Sequence, residues 1–401
     1  MNAKTGGANA KVHDRQELDR RVVEVKRRLD IGHVIGASVR LLGTATHKTG
    51  LCPFHNEKSG SFHVYIDGDD SHYHCFGCGA HGDVIGFVQQ QRNLSFIDAL
   101  KELESRVGTD FKPREAAAPR PVKNEKREEA EKKRAETLRE TLTRIWRGLE
   151  KADGSPAEAY LRGRGLDVSV IGGVPPSIRF HPQLTHVQPL PDGREDKSVW
   201  PAMVQAVQAP SGEIIALHRT WLMADPEKGF VKAKRPEYGK DFKAKKILGP
   251  YMTGAIRFAM PGRDDYAEDT LLVGEGSETT LAFMIDCVRE GRRIAAWAAG
   301  ALGNICGSGD PTKRARRHPH FPDKYIQTEY PNMERPGVIL PASVKQPIVL
   351  GDGDSDPLMT RALLNRAVRR WQAEGRLPRI VMAPPGLDFG DIAEMESAGG
   401  E

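Results

Sequence analysis

The chain has 401 residues, enough for two or three compact domains. Hydrophobic residues make up 39% of it and charged residues 28%, values typical of globular proteins. Its first residues lack the apolar core of a signal peptide, and no later stretch has the apolar length of a spanning helix, so we expect a cytoplasmic protein with no membrane partner. The net charge of +5 is modest, so any argument for a nucleic-acid partner depends on where the basic residues cluster.

Two pairs of metal-ligating residues stand near the front of the chain. CPFH supplies Cys52 and His55, and CFGC supplies Cys75 and Cys78. Each pair has the two-residue spacing of a zinc knuckle, and four ligands complete a tetrahedron with no open position for a catalytic water. We therefore predict a structural Zn²⁺ site in a small ribbon. The alternative is that these are core cysteines, and the matched spacing argues against it. Nearby histidines that compete for the ligand role are expected at the solvated surface: His63, His72, His74 and His81.

Aromatic and basic residues surround the predicted zinc site. Tyr65, Tyr73 and Lys58 are of the types that stack on bases and contact the phosphates of a single strand. The rings could equally fill the small core of the ribbon. Both interpretations stay open at this point.

The composition changes after the ribbon domain, which we place at residues 1–110. Residues 111–150 hold Ala and Pro and then a dense mixture of Lys, Arg and Glu that cannot build a core, so we expect a charged linker and helix. Apolar residues at helical spacing near its end predict a stripe that docks on the following domain: Leu138, Leu142, Ile145, Trp146 and Leu149.

The rest of the chain divides into two patterns. Residues 151–260 alternate short apolar runs with Pro and Gly turns, which predicts a mixed α/β, strand-rich subdomain. Residues 261–401 alternate continuous apolar runs with helices, which predicts an α/β domain with a parallel sheet covered on both faces. The predicted fold class is therefore α+β multidomain, with the zinc ribbon and its helices at the front.

Carboxylates follow three of the predicted parallel strands. Glu275 follows TLLV, Asp352 and Asp354 follow PIVL, and Asp388 and Asp391 come after RIVMA. Ligand-binding groups gather beyond the carboxyl ends of such strands, so these side chains should approach one another. Hard oxygen ligands suit Mg²⁺ or Mn²⁺, which neutralise phosphates in phosphoryl transfer. A single acid after a strand is usually a cap or turn residue, but its repetition over three strands favours a metal site.

Basic residues cluster between positions 232 and 246, where seven Lys or Arg stand against two acids, with aromatic rings interleaved. This pattern suits a nucleic-acid strand lying along a groove. The candidate template- or nucleotide-binding residues are Arg219, Lys243, Lys245 and Lys246. A second run, KRARR at 313–317, could extend the same track or could be a solvated charge run.

Together these motifs resemble the bacterial DnaG-type primase family. GLCPFHNEKSGSFHVY, HYHCFGCGAHGDVIGFV and LSFIDAL are similar to its CHC2-type zinc-binding domain. YLRGRGL resembles the opening of its polymerase domain, and GEIIALHRTWL with KAKKILGP resembles its basic template-binding subdomain. The acids Glu275, Asp352, Asp354, Asp388 and Asp391 resemble the metal-binding motifs of its Toprim domain.

The resemblance implies a primase that makes short RNA primers on single-stranded DNA from ribonucleoside triphosphates, with the zinc domain reading the template. Glu275, Asp352, Asp354 and Asp388 would then be catalytic and, with Asp391, would bind the ions. Two features depart from the family pattern. Thr279, beside Glu278, stands where the family usually has Asp, and the last motif is D-x-x-D in place of D-x-D.

The resemblance also implies a replicative helicase as a partner, although the chain ends about ten residues after Asp391, before the family's helicase-binding domain. We therefore expect a shortened, plasmid- or phage-type form. Two alternatives remain. One is a Toprim-type nuclease, which would cleave nucleic acid with the same acids and no nucleoside triphosphates. The other is a non-catalytic zinc-ribbon DNA-binding accessory protein of replication, whose Toprim fold is only a scaffold.

Overall fold

The computed structural model describes residues 6–54, 60–75, 80–92, 94–107, 125–190, 194–310, 312–313, 315–321 and 325–399. The chain forms two compact units, one of residues 1–122 with 309–328 and one of residues 123–308 with 329–401. No helix within the described ranges is long and apolar enough to cross a membrane.

The first unit contains a five-stranded antiparallel sheet flanked in sequence by helices. Its elements are α1 (Gly6–Arg28), α2 (Ile31–Gly36), β1 (Leu42–Gly43), β2 (His47–Gly50), β3 (Phe62–Tyr65), β4 (His72–Cys75), β5 (His81–Gly82), α3 (Val84–Arg92) and α4 (Phe96–Val107). Alternate residues of β3 and β4 face inward, as the period of a strand requires. Phe62, Val64, Tyr73 and Cys75 are each 0% exposed and form the core side of this hairpin.

The second unit begins with a long helix and an antiparallel sheet. Its elements are α5 (Glu125–Arg147), β6 (Glu150–Lys151), α6 (Pro156–Arg162), β7 (Ile178–Pro189), β8 (Glu195–Gln208), β9 (Ile214–Asp225), β10 (Gly229–Lys232), β11 (Lys245–Leu248) and β12 (Ala255–Arg257). Leu142 of α5 is 1% exposed and packs in one cluster with Leu217 and Trp221 of β9. The apolar stripe predicted for this helix is therefore confirmed.

The remainder of the chain supplies a parallel sheet covered by helices. Its elements are β13 (Thr270–Gly274), α7 (Ser277–Arg289), β14 (Ala295–Ala298), α8 (Leu302–Cys306), β15 (Arg316–Arg317), β16 (Tyr325–Ile326), β17 (Gln346–Gly351), α9 (Pro357–Ala373), β18 (Arg379–Met382) and α10 (Phe389–Gly399). Strands β14, β13, β17 and β18 lie side by side and parallel, as the apolar runs predicted. β15 and β16 pair as a separate two-stranded sheet, and Arg316 and Arg317 of the second basic run are exposed on it.

The antiparallel and parallel parts of the second unit form one 11-stranded mixed sheet, with the central order β10-β9-β8-β12-β14-β13-β17-β18. The short strand β12 joins them, because Ile256 pairs with Val207 of β8 on one side and with Ala298 of β14 on the other. The protein is thus α+β, with a zinc-ribbon region at the front and a mixed sheet behind it.

Candidate functional site

The described half of the predicted zinc site consists of two buried cysteines. Cys52 is 6% exposed and Cys75 is 0% exposed, and the β3–β4 hairpin lies between them in sequence. The amide of Phe54 donates to Cys52 Sγ at 3.4 Å, and Ser61 Oγ lies 3.2 Å from Cys75 Sγ. A hydrogen bond from an amide to Cys52 Sγ favours the thiolate form that binds zinc, so Cys52 fits the predicted ion. The other two predicted ligands, His55 and Cys78, lie outside the described residues.

The two tyrosines proposed for base stacking have different environments. Tyr73 is 0% exposed, donates its hydroxyl to Gln90 Oε1 at 2.7 Å and stacks on Phe62. The prediction that Tyr73 binds template is therefore wrong, because a ring enclosed by the core presents no face to a base. Tyr65 lies half-buried on the opposite side of the sheet, with His47 and His72 stacked against it at ring-centroid distances of 4.8 and 4.9 Å. Lys58 lies outside the described residues.

The four histidines expected at the surface are partly drawn into the sheet. His72 is exposed, whereas His63, His74 and His81 are half-buried. Burial, together with repulsion from His81, lowers the pKa of His74 to about 4. These side chains belong to the polar side of the ribbon around Tyr65.

The predicted catalytic acids surround Asp352 at one edge of the parallel sheet. Glu275 directly follows β13, Asp352 and Asp354 follow β17, and Asp388 and Asp391 begin α10 after β18. Burial, followed by the negative charges of Glu275, Asp388, Asp354 and Asp391 in that order, raises the pKa of the Asp352 carboxyl to about 7. The other four acids predicted from the three strand ends therefore all act electrostatically on Asp352.

The chemistry of this acidic cluster, defined as Glu275, Asp352, Asp354, Asp388 and Asp391, fits a hard divalent cation. Every donor is a carboxylate oxygen, and the repulsion at Asp352 is of the kind that a cation relieves. Within the part of the chain that the structure describes, no three His, Cys, Asp or Glu side chains converge closely enough to hold an ion. The acidic cluster therefore brings its carboxylates into one region without forming a closed ion site in the described residues.

Two loops hold the acidic cluster together through their backbones. The amide of Gly353 donates to the carbonyl of Leu387 at 2.8 Å, and the amide of Gly386 donates to the carbonyl of Gly353 at 2.8 Å. A Cβ at position 353 would lie 2.0 Å from the carbonyl oxygen of Pro384. Only glycine permits this approach, which fixes Asp352 and Asp354 relative to Asp388.

The D-x-x-D spacing has a local structural cause. The amide of Asp391 donates to Asp388 Oδ1 at 2.8 Å, and the amide of Asp388 donates to Asp391 Oδ2 at 3.2 Å. This reciprocal pair is a capping box, which needs acceptors three residues apart at a helix start. The spacing that departs from the Toprim pattern therefore fixes both carboxylates at the first turn of α10.

Arg219 and Lys246 form a basic pair on the antiparallel sheet. They are cross-strand partners on β9 and β11, and the Arg219 guanidinium lies 5.1 Å from the ring centroid of Trp221. Lys246 Nζ donates to the carbonyl of Val187, whereas the buried Arg219 Nε has no hydrogen-bond partner in the described residues. Burial lowers the pKa of both groups, and Arg219 lowers that of Lys246 further. Lys243 is exposed, and its carbonyl accepts from His186 Nε2.

Lys245 points toward an acid that the sequence pattern did not single out. Lys245 Nζ donates to Glu278 Oε1 at 2.8 Å, and Lys232 Nζ donates to Glu278 Oε2 at 3.1 Å. Tyr160 and Arg164 complete the surroundings of this carboxylate. A signal was available in the sequence, because Glu278 stands at the helical spacing i, i+3, i+4, i+7 with three buried apolar residues of α7: Leu281, Ala282 and Ile285.

Residues 18–118 match the family model of the CHC2 zinc finger, and residues 136–258 match a family described as a domain of unknown function, DUF7146. A DNA primase of Mycobacterium bovis is 33% identical over 153 residues, which cover 38% of this chain and 23% of that protein. In these segments the chain is similar to DnaG-type primases. A DNA primase of Deinococcus radiodurans is 53% identical over 76 residues, 19% of this chain and 13% of that primase. The chain thus matches less than a quarter of the length of these primases.

Among solved structures, the chain is similar to the Aquifex aeolicus primase, whose structure contains the zinc-binding and RNA polymerase domains. The sequence identity is 18% and the TM-score is 0.35, with coverage of 94% of this chain and 84% of the primase.

Proposed function

We propose that this chain is a DNA primase that synthesises short RNA primers on single-stranded DNA by metal-dependent nucleotidyl transfer. The observation that carries the proposal is the acidic cluster, in which four carboxylates raise the pKa of Asp352 at the ends of three parallel strands. The cluster and the basic pair Arg219 and Lys246 belong to one continuous sheet. The CHC2 zinc finger and the primase relatives support the same reaction class.

The acids of the cluster are the groups that would hold Mg²⁺ or Mn²⁺. When bound, such ions neutralise the phosphates and stabilise the leaving pyrophosphate. Because the pKa of Asp352 is raised to about 7, this carboxyl is mostly protonated below that pH. It must lose the proton before it can bind a metal ion. Glu275 is assigned as a further ligand or as the general base toward the attacking 3′-hydroxyl.

The basic residues are assigned to the polyanions. Arg219 and Lys246 would hold template or triphosphate, and the unpartnered Arg219 Nε is a donor available for a phosphate oxygen. The exposed Lys243 would contact template from the same strand region. The zinc ribbon, with Tyr65 on its polar side, is assigned to template recognition.

The test incubates the protein with single-stranded templates of varied sequence, Mg²⁺ or Mn²⁺ and labelled ribonucleotides. We expect template-dependent oligoribonucleotides that disappear in Asp352→Asn. The matched control is Asp356→Asn, because Asp356 caps α9 by accepting from the amides of Leu358 and Met359, and Asn caps a helix equally well.

Three results would contradict the proposal. Absence of any product with all templates and metals would exclude primer synthesis. Cleavage of labelled DNA without nucleoside triphosphates would instead indicate the nuclease. Binding of template that is unchanged in Asp352→Asn, without either reaction, would indicate the accessory protein.

A further inference from the structure

Glu278 is a buried carboxylate with partners from three separate segments of the second unit: α6 with the turn after it, β10 and β11. It is 9% exposed and lies in the first turn of α7. Its oxygens accept from Tyr160 at 2.8 Å, Lys245 at 2.8 Å and Lys232 at 3.1 Å, and Arg164 Nε lies 3.5 Å away. Three cations therefore surround one buried anion, and the two lysines remain partly open to solvent.

The charges of this ion cluster depend on one another. Burial raises the pKa of Glu278, but Lys245 and Lys232 outweigh it and hold that pKa well below its usual range. Burial lowers the pKa of Lys232, Glu278 opposes this, and Lys245 and Arg164 add to the lowering. His218 lies in the same surroundings, where burial and then Lys245 lower its pKa to about 3. Glu278 is thus the group that opposes the lowering of the Lys232 pKa.

The ion cluster also connects the elements that carry the catalytic candidates. Glu278 is three residues from Glu275 and lies on the helix that follows it. Arg164 pairs with Glu394 of α10. The negative charge of Asp388, which caps that helix, raises the pKa of Arg164. Lys232 and Lys245 end β10 and begin β11 of the antiparallel sheet. The Glu278 carboxylate therefore connects β10 and β11 to two elements that carry residues of the acidic cluster, the β13–α7 segment and α10.

We propose that Glu278 is a positioning residue, and not a metal ligand, that holds Lys232 and Lys245 as fixed cations for the triphosphate of the incoming nucleotide. The inference rests on the proposed function and deepens it. Two ammonium groups that share one carboxylate keep a fixed orientation, with N–H donors available for phosphate oxygens. Lysines without such a partner would be free to change rotamer. The three cations already bonded to Glu278 also leave it poorly placed to bind an ion at the acidic cluster.

The test compares Glu278→Gln, Glu278→Asp and Asp352→Asn, with Glu290→Gln as control, since Glu290 is an exposed residue at the end of the same helix. Mn²⁺ affinity is measured by titration. Nucleotide incorporation is measured from about pH 6 to about pH 10, a range that covers the titrations of the lysines and of Asp352. Glu278→Gln should leave Mn²⁺ affinity within about twofold of the wild type and lower kcat/KM for nucleotides at least about tenfold. Asp352→Asn should weaken Mn²⁺ binding itself.

The pH profile separates positioning from packing. In Glu278→Gln, the alkaline limb should move to lower pH, because Lys232 loses the carboxylate that opposes Lys245, Arg164 and burial. Glu278→Asp should restore this limb, and Glu290→Gln should match the wild type. Loss of Mn²⁺ affinity equal to that of Asp352→Asn would make Glu278 a ligand and overturn the inference, as would a wild-type rate and profile in Glu278→Gln.

Two further measurements cover the remaining outcomes. If Glu278→Gln fails to fold, the double variant Lys232→Gln, Lys245→Gln should show the tenfold loss with unchanged Mn²⁺ affinity, and an undiminished rate would overturn the inference. If the wild type makes no primer, the proposed function fails by itself. The inference is then tested by the binding of α,β-methylene ATP with Mn²⁺. Glu278→Gln should weaken this binding about tenfold, and unchanged binding would overturn the inference.

Discussion

Asp352 lies at the centre of the acidic cluster, and its raised pKa links folding stability to pH when no metal is bound. Its carboxyl has a pKa of about 7 in the folded protein, against about 3.9 in an unfolded chain. A raised acid pKa means that the folded state binds the proton more tightly. The contribution of this proton to the free energy of unfolding is present in full below about pH 4 and is lost as the pH rises through about 7.

Asp352→Asn should therefore stabilise the metal-free protein much more at pH 8 than at pH 5. The neutral amide removes the charge that Glu275, Asp388, Asp354 and Asp391 repel, and at pH 5 the wild-type carboxyl is already protonated. Thermal unfolding in EDTA should show a Tm higher by about 2–6 °C at pH 8 and a smaller increase at pH 5. An equal change at both values of pH would indicate that the four neighbours do not act on Asp352.

Gly353→Ala should disrupt the acidic cluster without removing any carboxylate. The added Cβ would lie 2.0 Å from the Pro384 carbonyl oxygen, so the two loops must separate. We expect a loss of about 1–3 kcal/mol in the free energy of unfolding, together with weakened Mn²⁺ binding. Gly36→Ala is the control, because an added Cβ there has no atom within 4 Å. Normal Mn²⁺ affinity in Gly353→Ala would show that the loop contact does not position the acids.

The sequence identified the acids of the cluster but not Glu278, and the difference has a physical cause. Glu275, Asp352 and Asp388 follow strands, so the rule that ligands gather at carboxyl ends applies to each. Glu278 acquires its role from Lys232 and Lys245, which reach it through tertiary packing that no local pattern encodes. Tyr73 failed for the opposite reason, since a ring in a half-buried strand can face either side and a single sequence does not set the side.

At the scale of elements, hydrophobic period predicted most of the second unit. The apolar runs became β13, β14, β17 and β18, and the i, i+3, i+4 stripe of α5 docked as expected. Length and composition could not predict β12. It has only three residues and is a strand because it pairs with β8 on one side and β14 on the other. The capping box at α10 was not predicted, because the position of the two aspartates after a strand led us to interpret them as metal ligands.

The docking of α5 gives a test at this scale. Leu142→Ala removes a side chain that is 1% exposed in the cluster with Leu217 and Trp221. It should lower the free energy of unfolding by about 2–4 kcal/mol, measured by urea unfolding followed by tryptophan fluorescence. Arg139→Ala on the exposed side of the same helix should cost less than about 1 kcal/mol, since its pair with Glu213 is largely solvated. Similar losses in both variants would mean that α5 does not dock through its apolar stripe.

At the scale of the whole molecule, the two units should respond separately to zinc removal. All five tryptophans lie in the second unit, at positions 146, 200, 221, 297 and 371, so their fluorescence reports that unit alone. A zinc chelator, or Cys75→Ser, should abolish the calorimetric transition of the ribbon unit, because structural zinc supplies much of the folding energy of such small sheets.

The tryptophan fluorescence midpoint should move by less than about 2 °C in the same chelation experiment. Metal analysis should find one equivalent of zinc lost from Cys75→Ser and none from a Ser61→Ala control, whose hydroxyl only neighbours the sulfur. A large shift of the fluorescence midpoint would show that the second unit depends on the ribbon for its stability.

The strand β12 has a consequence for how the second unit can be divided. With only three residues, it is hydrogen-bonded to β8 on one side and to β14 on the other. A fragment that started at β13 would expose the backbone of β14 as an open sheet edge, the kind of edge that recruits other strands and aggregates. We therefore do not expect the parallel half to fold as a separate fragment, and its separation from the antiparallel half would require a substitute strand that covers β14.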